Sequence, residues 1–105
     1  MTPEQVLKQE YPHECDEIRK NMIVVAFFKY GPARENFGKG RVSAFESAQK
    51  CMKKYLKTGN TEYLLDAMNY LGFEFKFPSI PGAHYTPTDS DGSAGTVGTP
   101  INMER

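Results

Sequence analysis

Along residues 61–77, apolar and aromatic side chains occupy almost every side of a predicted helix, while Asp66 and Asn69 interrupt its middle. At about 100° per residue, Leu64, Leu65, Met68, Leu71 and Phe75 form one wide stripe, which is expected to face the domain core. Tyr63, Tyr70, Phe73 and Phe77 fall on the other side, with Asp66 in line with Glu62 and Asn69. Two apolar faces on one helix need two covers. A small domain supplies one, and a second subunit or an ordered tail supplies the other. A carboxylate set among aromatic rings must also find a partner or shift its pKa.

The preceding pattern predicts three more helices. Thr2 caps, Pro3 suits the first helical position and Gln5 completes a capping box, so a short helix begins there and ends near Tyr11-Pro12. A second helix is predicted over 13–29. Its first half is amphipathic, with Cys15, Ile18 and Met22 on one face. Its second half, 22–28, is apolar on every side and by periodicity alone fits a buried strand equally well. No breaker separates the halves, which favours helix throughout. Gly31-Pro32 stops it, and a glycine-rich basic loop is expected over 31–41. Ser43 with Glu46 forms a second capping box, opening a helix over 44–57 with Phe45, Ala48, Met52, Tyr55 and Leu56 at core spacing. Gly59 ends it, and Asn60 or Thr61 caps the last helix.

The fold class predicted is therefore all-α: three main helices and a short N-terminal one over 1–77, followed by an arm over 78–105. Proline, glycine, serine and threonine dominate that arm and exclude regular helix. Ile80, His84, Tyr85 and Val97 could anchor it on the aromatic side of the last helix.

The chain has 105 residues, which leaves room for one modest core. Its formal net charge is zero, so nucleic acid and anionic membrane are not expected partners. No apolar run approaches the roughly 20 residues of a membrane span, and the amino terminus lacks a secretion signal, so the chain reads as cytoplasmic. Cys15 and Cys51 each fall on an expected buried face. A disulfide is one reading, and two reduced thiols is the favoured one.

Two constellations could carry chemistry. Lys29, Arg34, Lys39 and Arg41, with Gly31, Gly38 and Gly40, lead into the helix that Ser43 opens, an arrangement that suits an anion. The loop lacks the Gly-Lys-Ser/Thr ending of a Walker motif. Tyr30, Phe37, Tyr70 or Tyr85 could stack on a base, and Asp66 and Asn69 would read polar groups or fix a subunit contact. The expected activity is non-enzymatic binding of an anionic, nucleotide-like ligand by a homo-oligomer, with no cofactor. The other constellation is Glu62 with Asp66, oxygen ligands one turn apart, as a magnesium site requires. Asp89-Ser90-Asp91-Gly92 opens like a calcium loop but lacks the closing Glu.

The segment from Glu62 to Tyr70, including Asp66, Ala67, Met68 and Asn69, resembles the acidic third helix of the MazG-like all-helical nucleoside triphosphate pyrophosphohydrolases. That resemblance implies magnesium as cofactor, with Glu62 and Asp66 as its ligands and as catalytic residues. The family's earlier acidic cluster maps to 44–57, where this chain offers Glu46 alone. Over more of the chain, the order of apolar helix, Lys29-Tyr30-Gly31-Pro32, lysine-rich helix, Asp66 to Tyr70 and a tail with His84-Tyr85 and Thr88-Asp89-Ser90 looks like small uncharacterised proteins encoded by bacterial viruses. That resemblance implies a protein of the host cytoplasm acting on host defence, either by sequestering a nucleotide signal or by binding a host protein.

Overall fold

Every regular element among the described residues, 1–88 of the computed structural model, is helical. They are α1 (Pro3–Glu10), α2 (His13–Tyr30), α3 (Ala33–Asn36), α4 (Ala44–Thr58) and α5 (Glu62–Lys76). The all-α class follows the sequence pattern, and the ambiguous run 22–28 continues α2 without a break. Residues 89–105, which include the calcium-like Asp89-Ser90-Asp91-Gly92 and the expected anchor Val97, lie outside the described residues.

Local chemistry sets the helix ends. The Thr2 hydroxyl accepts from the Gln5 N–H at 3.1 Å while Gln5 Oε1 accepts from the Thr2 N–H at 2.7 Å, closing the predicted capping box. Ser43 Oγ accepts from the Glu46 N–H at 3.1 Å, but the return bond expected from the Glu46 side chain does not form. Between α4 and α5 the turn is very short. Gly59 takes the left-handed conformation (φ 71°) that lets its N–H reach Tyr55 O, and Asn60 Oδ1 caps α5 at the Glu62 N–H, 3.0 Å away. Such a connection forces α4 and α5 into an antiparallel hairpin. The loop 31–41 is not wholly irregular, because 33–36 wind into the single turn α3. Pro32 precedes that turn, and Asn36 Nδ2 donates back to Tyr30 O at 3.0 Å.

The hairpin closes on small side chains. Ala44, Ala48 and Ala67 are buried, and among the described residues the only other buried side chain is Asn69. Asn69 joins α2 to α5. Its Oδ1 accepts from Arg19 Nη1 at 3.2 Å, and its Nδ2 donates to Arg19 O at 3.1 Å. Arg19 also pairs with Asp16, which Lys20 approaches at 3.4 Å. Burial raises the Asp16 pKa, but hydrogen bonds from Tyr11, Arg19 and Lys20 outweigh it and hold the carboxyl below its ordinary value.

This clamp reverses the expected facing of α5. A buried amide needs its partner, and Arg19 on α2 provides it, so the side carrying Asn69, Tyr70 and Phe73 turns inward. Tyr70, Phe73 and Phe77 are half-buried. From the stripe expected in the core, Met68, Leu71 and Phe75 are exposed instead, Phe75 at 76%. Only Leu64 and Leu65 of that stripe are half-buried. The same correction applies to α4, where Ala48 and Tyr55 turn inward while Phe45, Met52 and Leu56 stay exposed, and to Ile18 on α2. Cys15 and Cys51 are half-buried free thiols, with Cys15 Sγ 3.8 Å from Met68 Sδ.

Glu74 ties the arm's start to α5. Glu74 Oε2 accepts from the Ser79 N–H at 2.8 Å and from its hydroxyl at 2.9 Å. Ile80 and Tyr85 are about two-thirds exposed (65% and 66%).

Candidate functional site

A groove of about 970 Å³ runs between the second half of α2, the α3 segment and the inward side of α5. Its volume lies at the upper end of small-molecule sites. Met22, Ile23, Ala26 and Phe27 of α2 form one wall, and Asp66, Asn69, Tyr70 and Phe73 of α5 form the other. Phe37 fixes the α3 segment against α5. Its ring stacks on Phe73 at 4.9 Å between centroids with 17° between planes, and meets Tyr70 edge-on at 6.0 Å.

Of the residues singled out in the sequence, Tyr30, Arg34, Phe37, Asp66, Asn69 and Tyr70 line this groove together. They come from three separate segments, and their convergence is a property of the fold. Lys29, Lys39, Arg41 and Tyr85 do not line it. Lys39 Nζ lies 3.2 Å from Glu35 Oε1 and Arg41 Nη2 3.9 Å from the same oxygen. Glu35, a carboxylate in the same loop, competes for these cations. Phe37 packs one ring face on Phe73 and meets Tyr70 edge-on. The Asn69 amide is committed at both ends to Arg19.

What remains available is Arg34, Tyr30, Asp66 and Tyr70. Arg34 is exposed and has no ion-pair partner among the described residues. Tyr30 is 70% exposed, with Lys29 Nζ 5.9 Å from its ring centroid. Asp66 makes no hydrogen bond or ion pair with a described residue. Burial chiefly raises its pKa, the charge of Glu62 adds to this, and Lys54 opposes it. Burial likewise raises the Tyr70 pKa, assisted by Cys51, Asp66 and Tyr30. Cys51 behaves in the same way, raised by burial and by Asp66. Burial is thus the chief cause that raises all three pKa values. A thiol raised in this manner is a poor nucleophile.

Sequence reasoning missed Lys76 and Phe27, which also line the groove. The signal for Lys76 was present: seven residues past Asn69, it shares that side of α5. Phe27 lay hidden in a run where every position is apolar. Glu62 and Asp66 stand one turn apart on α5, but no group of three or more His, Cys, Asp or Glu able to hold a metal occurs among the described residues. No helix there is long and apolar enough to cross a membrane. Comparison with protein-family models, curated proteins and solved structures finds no match to the chain.

Proposed function

We propose that this chain is a non-enzymatic binding protein, working as a homo-oligomer, that holds an anionic nucleotide-like ligand in the groove between α2 and α5. The observation that carries this reading is the convergence of Arg34, Tyr30, Asp66 and Tyr70 on one apolar-walled groove of about 970 Å³. Arg34 and Lys76 supply positive charge for a phosphate. Tyr30 and Phe27 offer ring faces to a base. Tyr70 and a carboxyl with a raised pKa at Asp66 donate to, or accept from, the base edge. Lys39 and Arg41, which share the single carboxylate of Glu35, stand outside this groove. The likeness to small proteins of bacterial viruses makes sequestration of a host nucleotide signal the role this activity would serve.

Calorimetry against nucleoside mono-, di- and triphosphates with magnesium, with chromatography of the recovered ligand, tests this reading. Stoichiometric recovery of intact nucleotide is expected, with affinity lowered about tenfold in Arg34→Ala and unchanged in Lys39→Ala. Magnesium-dependent turnover abolished by Asp66→Ala would replace the binder with a MazG-like pyrophosphohydrolase using Glu62 and Asp66. Absence of nucleotide affinity, together with a tight host partner, would replace it with a protein-binding inhibitor.

A further inference from the structure

On α4, Phe45, Gln49, Met52 and Leu56 follow one another at intervals of four, three and four residues, and on α5 Leu64, Met68, Leu71 and Phe75 repeat the same intervals. This is the spacing with which helices pack against other helices along a seam. In each helix the stripe lies about a quarter to a third of a turn past the face that touches its neighbour, in the same rotational sense. Because the helices run antiparallel, both stripes open on one side of the hairpin, turned away from the α3 segment and the groove. They form one apolar surface on which Leu56 is 81% exposed, Phe75 76% and Phe45 50%, with Met52, Met68 and Leu71 at 40–42%.

From this arrangement we infer that the α4–α5 face is the self-association surface, covered in solution by the same face of a second copy in a two-fold, four-helix arrangement. The inference rests on the homo-oligomer reading above and locates its interface. Two observations favour a second copy as the occupant. First, the cover is needed for folding itself, since alanines and Asn69 are the only buried side chains among the described residues, and a cover needed at all times is best met by the chain itself. Second, the exposed apolar residues present about 650 Å², close to the roughly 800 Å² per partner of a standard stable interface, and zero net charge brings no overall repulsion between copies.

Multi-angle light scattering and thermal unfolding of the full chain over a hundredfold concentration range test this assignment. The wild-type protein should show about twice the 11.9 kDa chain mass and a Tm that rises with concentration. Leu56→Asp and Phe75→Asp, each at a side chain that makes little contact within the protomer, should halve the mass or abolish the folded dimer. Phe28→Asp, at the 80% exposed Phe28 of α2, should leave the dimer intact. A wild-type monomer with concentration-independent, cooperative unfolding overturns both the oligomer and its interface. A wild-type dimer unmoved by Leu56→Asp and Phe75→Asp but dissociated by Phe28→Asp overturns the interface alone.

Discussion

Asn69→Ala should be among the most damaging single changes in this chain. The substitution removes the bond from Arg19 Nη1 (3.2 Å) and the bond to Arg19 O (3.1 Å), the pair that fixes α2 on α5. A hydrogen bond from a charged donor contributes about 1.5–3 kcal/mol, and a buried group left without a partner adds to the loss. The Arg19 carbonyl also belongs to a helix ladder, so its loss is smaller, about 0.5–1 kcal/mol. Together these give about 3 kcal/mol, or a Tm lowered by about 12–24 °C for a domain of this size. Arg19 Nε is already buried without a partner among the described residues. Urea unfolding followed by circular dichroism reads the loss. A double-mutant cycle with Arg19→Ala should give a coupling of about 1–2 kcal/mol. A loss under about 0.5 kcal/mol for Asn69→Ala, or additive effects in the cycle, would show that the clamp does not join the helices as described.

Phe37→Ala should cost about 2 kcal/mol, less than a fully buried phenylalanine, because Phe37 is only half-buried against Phe73 and Tyr70. Limited proteolysis should then cut within 31–42 faster than in wild type, and nucleotide affinity should fall even though Phe37 does not stack on the ligand. For Asp66, a folded pKa raised above 3.8 means that the folded chain binds the proton more tightly than the unfolded one. Its contribution to stability therefore declines as pH rises from about 3.8 through the raised folded value, opposite in sign to that of Asp16. Asp66→Asn should remove that decline, making the loss of stability toward acid steeper, and stabilise the protein near pH 7 by less than about 1 kcal/mol, since the carboxyl retains solvent contact. A shallower acid limb in Asp66→Asn, measured by thermal unfolding from pH 3 to 8, would reverse the assignment.

Helix positions were legible in the sequence because they depend on local chemistry: Thr2 with Gln5, Ser43, and Gly59 with Asn60 punctuate the chain wherever it lies in space. The facing of α5 was not. Hydrophobicity assigns Leu71 and Phe75 to the interior, but one buried amide with a long-range partner outweighs that pattern, and the Arg19–Asn69 pairing spans 50 positions. The groove was half legible. Tyr30, Arg34, Asp66 and Tyr70 carry the right side chains, but whether Lys39 and Arg41 are free depends on where Glu35 points within the loop, which periodicity does not encode. The small turn α3 escaped notice because one turn is too short to show a periodic pattern, although its bonds from the Asn36 and Phe37 N–H groups to Pro32 O and Ala33 O are local.

Two features on opposite sides of α5 govern the proposed function: a greasy hairpin face that no described residue covers, and a groove whose Arg34 has no ion-pair partner among the described residues. Native mass spectrometry of protein taken gently from cells tests both in one spectrum. A species at twice the chain mass, carrying a small anionic molecule that leaves on denaturation, is the predicted result. A bare 11.9 kDa monomer across all concentrations would contradict it.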